Sequence, residues 1–406
     1  MLKKFQSFVL IFFFLILLSV PAFWAFRGKP SPQMSLVEGR VLGLPEKNYP
    51  TLKIAMGFIQ QGKIKMAASL VWDLFTGGSL QRKVDGAATD QFPLRMPLID
   101  FSKSLDRRII DAVYGCTSDN VFPADMTSDL YIALKENALI NPPHTLSEND
   151  FLTIDQRLAN YRELISKYPD KSFYIYYIET VAFSQTNPLN AIFANADQGK
   201  TFEYLQDHLP KKIKLGKLTL ESFNDHLTNF YRTDHHWNTD GILTGYRDIY
   251  EMLSKNYPGI PEKLEPELMV TFPGIEFIGT LGRQTLYPIP GDQFIGFEAE
   301  FPECVVKDGG VEGKYDDRDD YLAGNYSTLP YTSHYGNYFG TQNALLEYEC
   351  QTGADRNILI IGNSYARPLV ALIATQYQHT YFVDLRQVPD FALSNFLAEY
   401  QIEDIL

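Results

Sequence analysis

Positive charge is in short supply: 36 Lys and Arg stand against 49 Asp and Glu, a formal net charge of −13. A nucleic-acid surface needs clustered Lys and Arg to neutralise phosphates, so that class of partner is excluded. Cysteine is scarcer still. Cys116, Cys304 and Cys350 are too few and too scattered for a disulfide framework or for zinc ligation at CxxC spacing. One disulfide is compatible with them, and nothing in the sequence chooses the pair. Internal repeats and low-complexity tracts are missing, which excludes solenoid and fibrous architectures. What remains is apolar substance, 45% hydrophobic and 14% aromatic over 406 residues, enough to bury one large core or two moderate ones.

The N-terminus sets the expected compartment. Lys3 and Lys4 precede a nearly uninterrupted apolar run over residues 8–26, and Arg27 and Lys29 follow it. A helix needs about 20 such residues to cross a bilayer. The positive-inside rule places the two lysines in the cytoplasm and everything after Arg27 outside. Residues 1–27 therefore read as a single-pass signal-anchor; Val20-Pro21-Ala22 offers the alternative of a cleaved, secreted form, and both readings export the rest. A Pro- and Gly-rich stretch without clear period runs to about residue 50. Residues 28–89 read as spacer and N-terminal extension, and residues 90–406 as one globular domain.

Within that domain, strand and helix patterns alternate. Ile154, Leu158, Tyr161, Leu164, Ile165 and Tyr168 have helical spacing, closed by Pro169. Residues 172–180 (SFYIYYIET) have the unbroken apolar character of a strand buried on both faces. Residues 357–361 (NILII) and 380–385 (TYFVDL) predict further strands, with helices over 368–377 and about 394–400 and another apolar stretch at 402–406. This alternation predicts an α/β fold, a parallel sheet with helices on both faces.

Two segments carry chemistry. In residues 231–241 (YRTDHHWNTDG) two of the seven histidines sit beside Asp234, immediately before a helix with Ile242, Leu243, Tyr246, Ile249 and Leu253 on its apolar side. Asn238 or Thr239 can cap that helix and stiffen the loop before it. A carboxylate beside an imidazole holds one tautomer and stabilises its charged form, as a general base requires. A metal site is a rival, since Asp and His ligate zinc or manganese. Against it, neighbouring histidines on one short loop do not readily aim at one ion, and no other Asp- or His-rich cluster completes a shell. In residues 360–368 (IIGNSYARP) a strand runs through Gly362 to Ser364, then into a helix with Pro368 in its first turn. A serine there is presented at the carboxyl edge of the sheet, with the following backbone N–H groups and the helix dipole aimed at a developing oxyanion.

The segment RTDHHWNTDG resembles the signature of the DHHW protein family, and IIGNSYARP is similar to the serine block of the SGNH hydrolase-like (flavodoxin-like) superfamily. Asp-x-His-Trp before Gly-x-Ser-Tyr is also the order of the exported O-acetyltransferases of alginate and similar polysaccharides. Residues 90–95 (DQFPLR) resemble an element near the start of those catalytic domains, so the resemblance spans about residue 90 to the end. It implies Ser364 as nucleophile, His236 as base and Asp234 as orienting acid. The histidine precedes the serine by 128 residues, the reverse of ordinary SGNH esterases. His235 has no role in the pattern, and Asn363 departs from the Asp that often precedes the serine. Tyr365, Arg232, Arg367 and His235 stand where substrate or oxyanion contacts are expected, and residues 333–338 (SHYGNY) offer aromatic and amide groups for a sugar.

The expectation is an extracytoplasmic serine-dependent O-acetyltransferase acting on a polysaccharide, without cofactor or metal. A multipass membrane acyltransferase would supply the acyl group, because acetyl-CoA does not occur outside the membrane. The alternatives are a carbohydrate esterase using the same residues and a non-catalytic glycan-binding scaffold. A DHH-type phosphoesterase would need further aspartate-rich motifs upstream, which the sequence lacks.

Overall fold

The apolar run NILII forms a strand whose neighbouring side chains point into two different cores. Ile358 and Ile360 join one cluster, with Phe382, Leu346, Tyr348 and Tyr174; Leu359 and Ile361 join another, with Val383, Tyr381, Phe173 and Ile405. This is the period of two expected of a strand buried on both faces. In this computed structural model the described residues are 95–114, 121–133, 135–340 and 343–406, together with 34, 35, 37, 40–42, 60, 65, 66 and 90. The chain divides into two units, residues 1–105 and 106–406, and the second holds both chemical segments. The expected membrane span at 8–26 lies outside the described residues, among which no helix is long and apolar enough to cross a bilayer.

The main sheet of the second unit has eight strands: β1 (Ser172–Tyr177), β2 (Ile213–Lys217), β3 (Cys304–Asp308), β4 (Val311–Glu312), β5 (Leu345–Cys350), β6 (Asn357–Ile361), β7 (His379–Val383) and β8 (Asp404–Ile405). Their spatial order is β4-β3-β5-β7-β6-β8-β1-β2. From β7 to β2 every pairing is parallel. On the other side β5, β3 and β4 add antiparallel strands. The expected parallel sheet is therefore found over β7 to β2 and extended by an antiparallel edge. β3 and β4 form an adjacent antiparallel pair, and β5 runs antiparallel both to β3 and to β7, so this side of the sheet is built without parallel crossovers. Cys304 and Cys350 are register partners on β3 and β5 and form the disulfide, a pairing fixed by strand register that sequence spacing does not reveal.

Helices cover both faces, as expected. One face is packed by α1 (Glu148–Lys167), through Tyr161, Leu164 and Ile165, and by the helix Leu393–Glu399, through Phe396 and Leu397. The opposite face carries α2 (Thr239–Ser254), through Ile242, Leu243, Tyr246, Ile249 and Leu253, and a second helix, Arg367–Ala374, through Leu369, Val370, Leu372 and Ile373. Asn238 caps α2 by accepting the Gly241 amide at 3.1 Å. Trp237 is fully buried against that helix, and Gly245 is the residue that lets it in: a Cβ there would lie 2.6 Å from the indole ring.

Two buried histidines couple this packing to pH. His226 lies between the rings of Phe223 and Phe230, and His334 accepts from or donates to the Tyr321 hydroxyl at 2.8 Å. Burial depresses both from 6.5 to about 4. Between those values the unfolded chain binds more protons than the folded one, so stability falls as pH falls. The urea midpoint is expected to be lower at pH 5.5 than at pH 7, a window above the carboxylate range, and His226→Phe should flatten that dependence. An identical slope in the variant would show that His226 does not contribute.

Candidate active site

Ser364 follows the carboxyl end of β6 by three residues and precedes α5, the helix Arg367–Ala374, once α3 (Thr280–Thr285) and α4 (His334–Phe339) are counted in chain order. The turn that presents it is held locally: Asn363 accepts the Tyr365 amide through its side chain at 3.0 Å and the Ala366 amide through its carbonyl at 2.9 Å. The histidine loop is fixed from the other direction. Asp292 accepts the amides of Arg232 at 2.8 Å and Thr233 at 2.9 Å and the Thr233 hydroxyl at 2.6 Å, and Phe230 and Trp237 bridge across the loop. A loop so tied loses little further entropy on orienting a base.

Loop and turn meet in one hydrogen-bonded chain. His236 Nδ1 is 2.6 Å from Asp234 Oδ1, and His236 Nε2 is 2.9 Å from Ser364 Oγ. Asp234 Oδ1 also accepts the His236 amide at 2.9 Å, while Oδ2 accepts the Thr280 amide at 2.6 Å. The Asp234 side chain is 4% exposed. Burial alone would raise its pKa, but the hydrogen bond and charge of His236, with His235 and the Thr280 amide, outweigh that and hold it well below the usual carboxylate range. Asp234 is therefore anionic wherever His236 works as a base.

The other expected site residues divide. His235 lies against His236 with its ring tilted by 37° and 3.9 Å between centroids, places Nδ1 3.5 Å from Asp234 Oδ1, and is the more open of the two, its side chain 39% exposed against 12% for His236. Burial, then the charge of His236, pushes its pKa down. Tyr365 is at the site as well, donating its hydroxyl to the His235 carbonyl at 2.5 Å and so pinning the serine turn to the histidine loop. The two arginines are elsewhere engaged. Arg232 donates to the Glu136 carbonyl. Arg367, 2% exposed, donates to Asn343 Oδ1 at 3.2 Å and the Tyr315 carbonyl at 3.3 Å. Each gives guanidinium N–H groups to protein acceptors away from the Asp234–His236–Ser364 chain. The expected row of free N–H groups after the serine is corrected too: those of Tyr365, Ala366 and Arg367 bond Asn363, which leaves the Ser364 amide with no acceptor among the described residues. Residues 91–94 of the DQFPLR segment lie outside the described residues.

Sequence reasoning missed two contributors, Thr280 and Gly279, and placed a third, Tyr335, in a different role. Tyr335 was expected to face a sugar; instead it is buried, stacks on His236 at 4.1 Å and 19° and donates its hydroxyl to the Ser364 carbonyl at 3.0 Å. Thr280 and Gly279 come from the start of α3, a helix with no distinctive motif. Gly279 is required by space: its φ is −79°, but a Cβ would lie 2.2 Å from Asp234 Cβ. Gly279→Ala is expected to displace the carboxylate, costing about 1–3 kcal/mol in stability and about 100-fold in turnover. Calorimetry and ester turnover measured together check this; wild-type turnover would mean that Asp234 need not sit where it does.

Asp234, His235 and His236 also bring three potential metal-ligand atoms within 4.8 Å of one another. The objection that neighbouring histidines on a short loop cannot converge is thus overturned: the loop folds their Nδ1 atoms around one carboxylate oxygen. Here the donors are bonded to each other, and Ser364 completes the chain.

No family model matches the sequence, and no curated protein matches it. Among solved structures, Bacillus cereus PatB1, determined with a sulfonyl adduct, aligns with a TM-score of 0.52 at 18% identity, over 67% of this chain and 91% of that one. The chain has the PatB1 fold. Also similar are a DHHW family protein from Eubacterium siraeum (TM-score 0.47, 16% identity, 66% of this chain and 86% of that one) and the O-acetyltransferase domain of Pseudomonas putida AlgJ (TM-score 0.38, 11% identity, 69% and 87%).

Proposed function

We propose that this chain is an SGNH-type, serine-dependent O-acetyltransferase that works outside the cytoplasmic membrane on a polysaccharide. The observation that carries the reading is the unbroken Asp234–His236–Ser364 chain, with the acid buried and ionised and the Ser364 amide without an acceptor among the described residues. His236 Nε2 takes the Ser364 proton as Oγ attacks the donor's acyl carbon; the resulting imidazolium is stabilised by Asp234. The Ser364 amide receives the oxyanion. His236 returns the proton to the departing donor oxygen, leaving an acyl-serine; it then takes the proton of a sugar hydroxyl that attacks the acyl carbon and gives it to Ser364 Oγ as the acyl–Oγ bond breaks, which releases the acylated sugar and restores the serine. A sulfonyl adduct on the PatB1 fold is in keeping with an activated nucleophile.

The apolar run at 8–26 supports a single-pass anchor with this domain outside, and hence a membrane acyltransferase partner as acyl donor. The full chain in detergent should release the alcohol from a chromogenic acetyl ester and be labelled at Ser364 by a fluorophosphonate. Added oligosaccharide should raise turnover and become acetylated. Hydrolysis indifferent to every glycan tried would leave the esterase reading in place of the transferase.

A further inference from the structure

We propose that Asp234, His235 and His236 form an inhibitory binding site for a zinc-like dication, in competition with catalysis. As to inhibition, this rests on the serine-enzyme reading; as to metal binding, it rests on geometry alone. Tetrahedral zinc with bonds of about 2.0–2.1 Å holds its ligand atoms about 3.3 Å apart. His235 Nδ1 and Asp234 Oδ1 are already 3.5 Å apart. His236 Nδ1, 2.6 Å from the same oxygen, has to open by about 0.7 Å, a small rotation for an imidazole. Asp234 is held in place through its other oxygen by the Thr280 amide, which leaves Oδ1 aimed at the two imidazoles. Two imidazoles and one carboxylate suit zinc, copper or cobalt rather than magnesium or calcium. The exposed edge of His235 is the way in.

Inhibition results from where one ring holds its proton. In the working site Nδ1 carries the proton toward Asp234 and the Nε2 lone pair faces Ser364 Oγ at 2.9 Å. A metal on Nδ1 moves that proton to Nε2. The ring then donates to Ser364 and cannot accept from it, so the nucleophile is left without a base. The charges of Arg283 and Arg386, both of which act on His235, oppose the ion and make binding weaker than at a structural zinc site. His235 is the one ligand that the triad itself does not need, which makes it the discriminating position.

The test uses the full chain in detergent and two metals. Cobalt(II) should give the visible bands of a four-coordinate, imidazole-ligated ion with wild type and equally with Ser364→Ala, and none with His235→Gln or, should Gln disturb the loop, His235→Asn. Zinc, set against chelator, should slow both ester turnover and fluorophosphonate labelling of wild type by about tenfold or more, and of the His235 variants less than twofold relative to each variant's own metal-free rate. Cobalt bands that survive loss of His235, or zinc inhibition undiminished by it, overturn the site. Bands that depend on His235 in a chain inert toward ester and phosphonate even with chelator overturn the serine-enzyme reading and keep the metal site.

Discussion

Ser364→Ala is expected to lower kcat on an activated acetyl ester by about 10⁴-fold or more and to abolish fluorophosphonate labelling, with stability changed by less than about 1 kcal/mol. The size reflects what the hydroxyl does. Its Oγ is the atom 2.9 Å from His236 Nε2, and no other hydroxyl of the described residues is bonded to that nitrogen. Without it, neither the acyl-serine nor a covalent adduct can form, and only background catalysis by the Ser364 amide and the bound substrate remains. The side chain is not a packing element: the turn around it is held by Asn363, Tyr335 and Tyr365 through backbone contacts that Ala keeps. Turnover should therefore vanish in a folded protein. Labelling and hydrolysis both persisting at the wild-type rate would sink the assignment of the nucleophile.

Asp234→Asn should cost nearly as much, about 10³–10⁴-fold in kcat, again without unfolding. Both oxygens of Asp234 accept hydrogen bonds, Oδ1 from the His236 ring and amide, Oδ2 from the Thr280 amide. Asn has one acceptor oxygen and one NH₂ group. If the NH₂ faces Thr280, two donors oppose each other and the start of α3 is pushed away. If it faces His236, the ring takes the tautomer with its proton on Nε2, toward Ser364, and the base is lost. Either arrangement disables the site while leaving its volume unchanged. Residual activity within about tenfold of wild type would mean that Asp234 serves only the loop and not the tautomer. Comparing the variant's labelling rate with its ester turnover separates a slow nucleophile from weak binding.

Both effects concern residues legible in the sequence, and the reason is local. Asp234 and His236 are two residues apart on one loop, and Ser364 lies where the strand pattern NILII ends at a glycine, so each half of the site has a short-range signature. Strand and helix types around them were legible for the same cause: apolar periods of two and 3.6 are written in consecutive residues. The antiparallel edge was less so, because β3 and β5 are paired by tertiary register and their sequences do not state a direction.

The arginines mark the limit of such reading. Arg232 and Arg367 stand next to the motifs in sequence, yet the chain turns their guanidinium groups toward the carbonyls of Glu136 and Tyr315 and the side chain of Asn343, contacts with partners 24 to 96 residues away. Tyr335, with no motif of its own, reaches both the base and the nucleophile's backbone.

By itself the sequence singled out Asp234, His236 and Ser364 and the α/β alternation that carries them, since each depends on neighbours within a few positions. Tertiary structure alone decided that these three groups meet, that Thr280 and Gly279 shape the seat of Asp234, that Cys304 pairs with Cys350, and that His235 and His236 turn toward one carboxylate oxygen. Those facts are distances between segments brought together by burial of the two faces of one sheet. Such distances are a property of how the cores pack, and no stretch of consecutive residues encodes them.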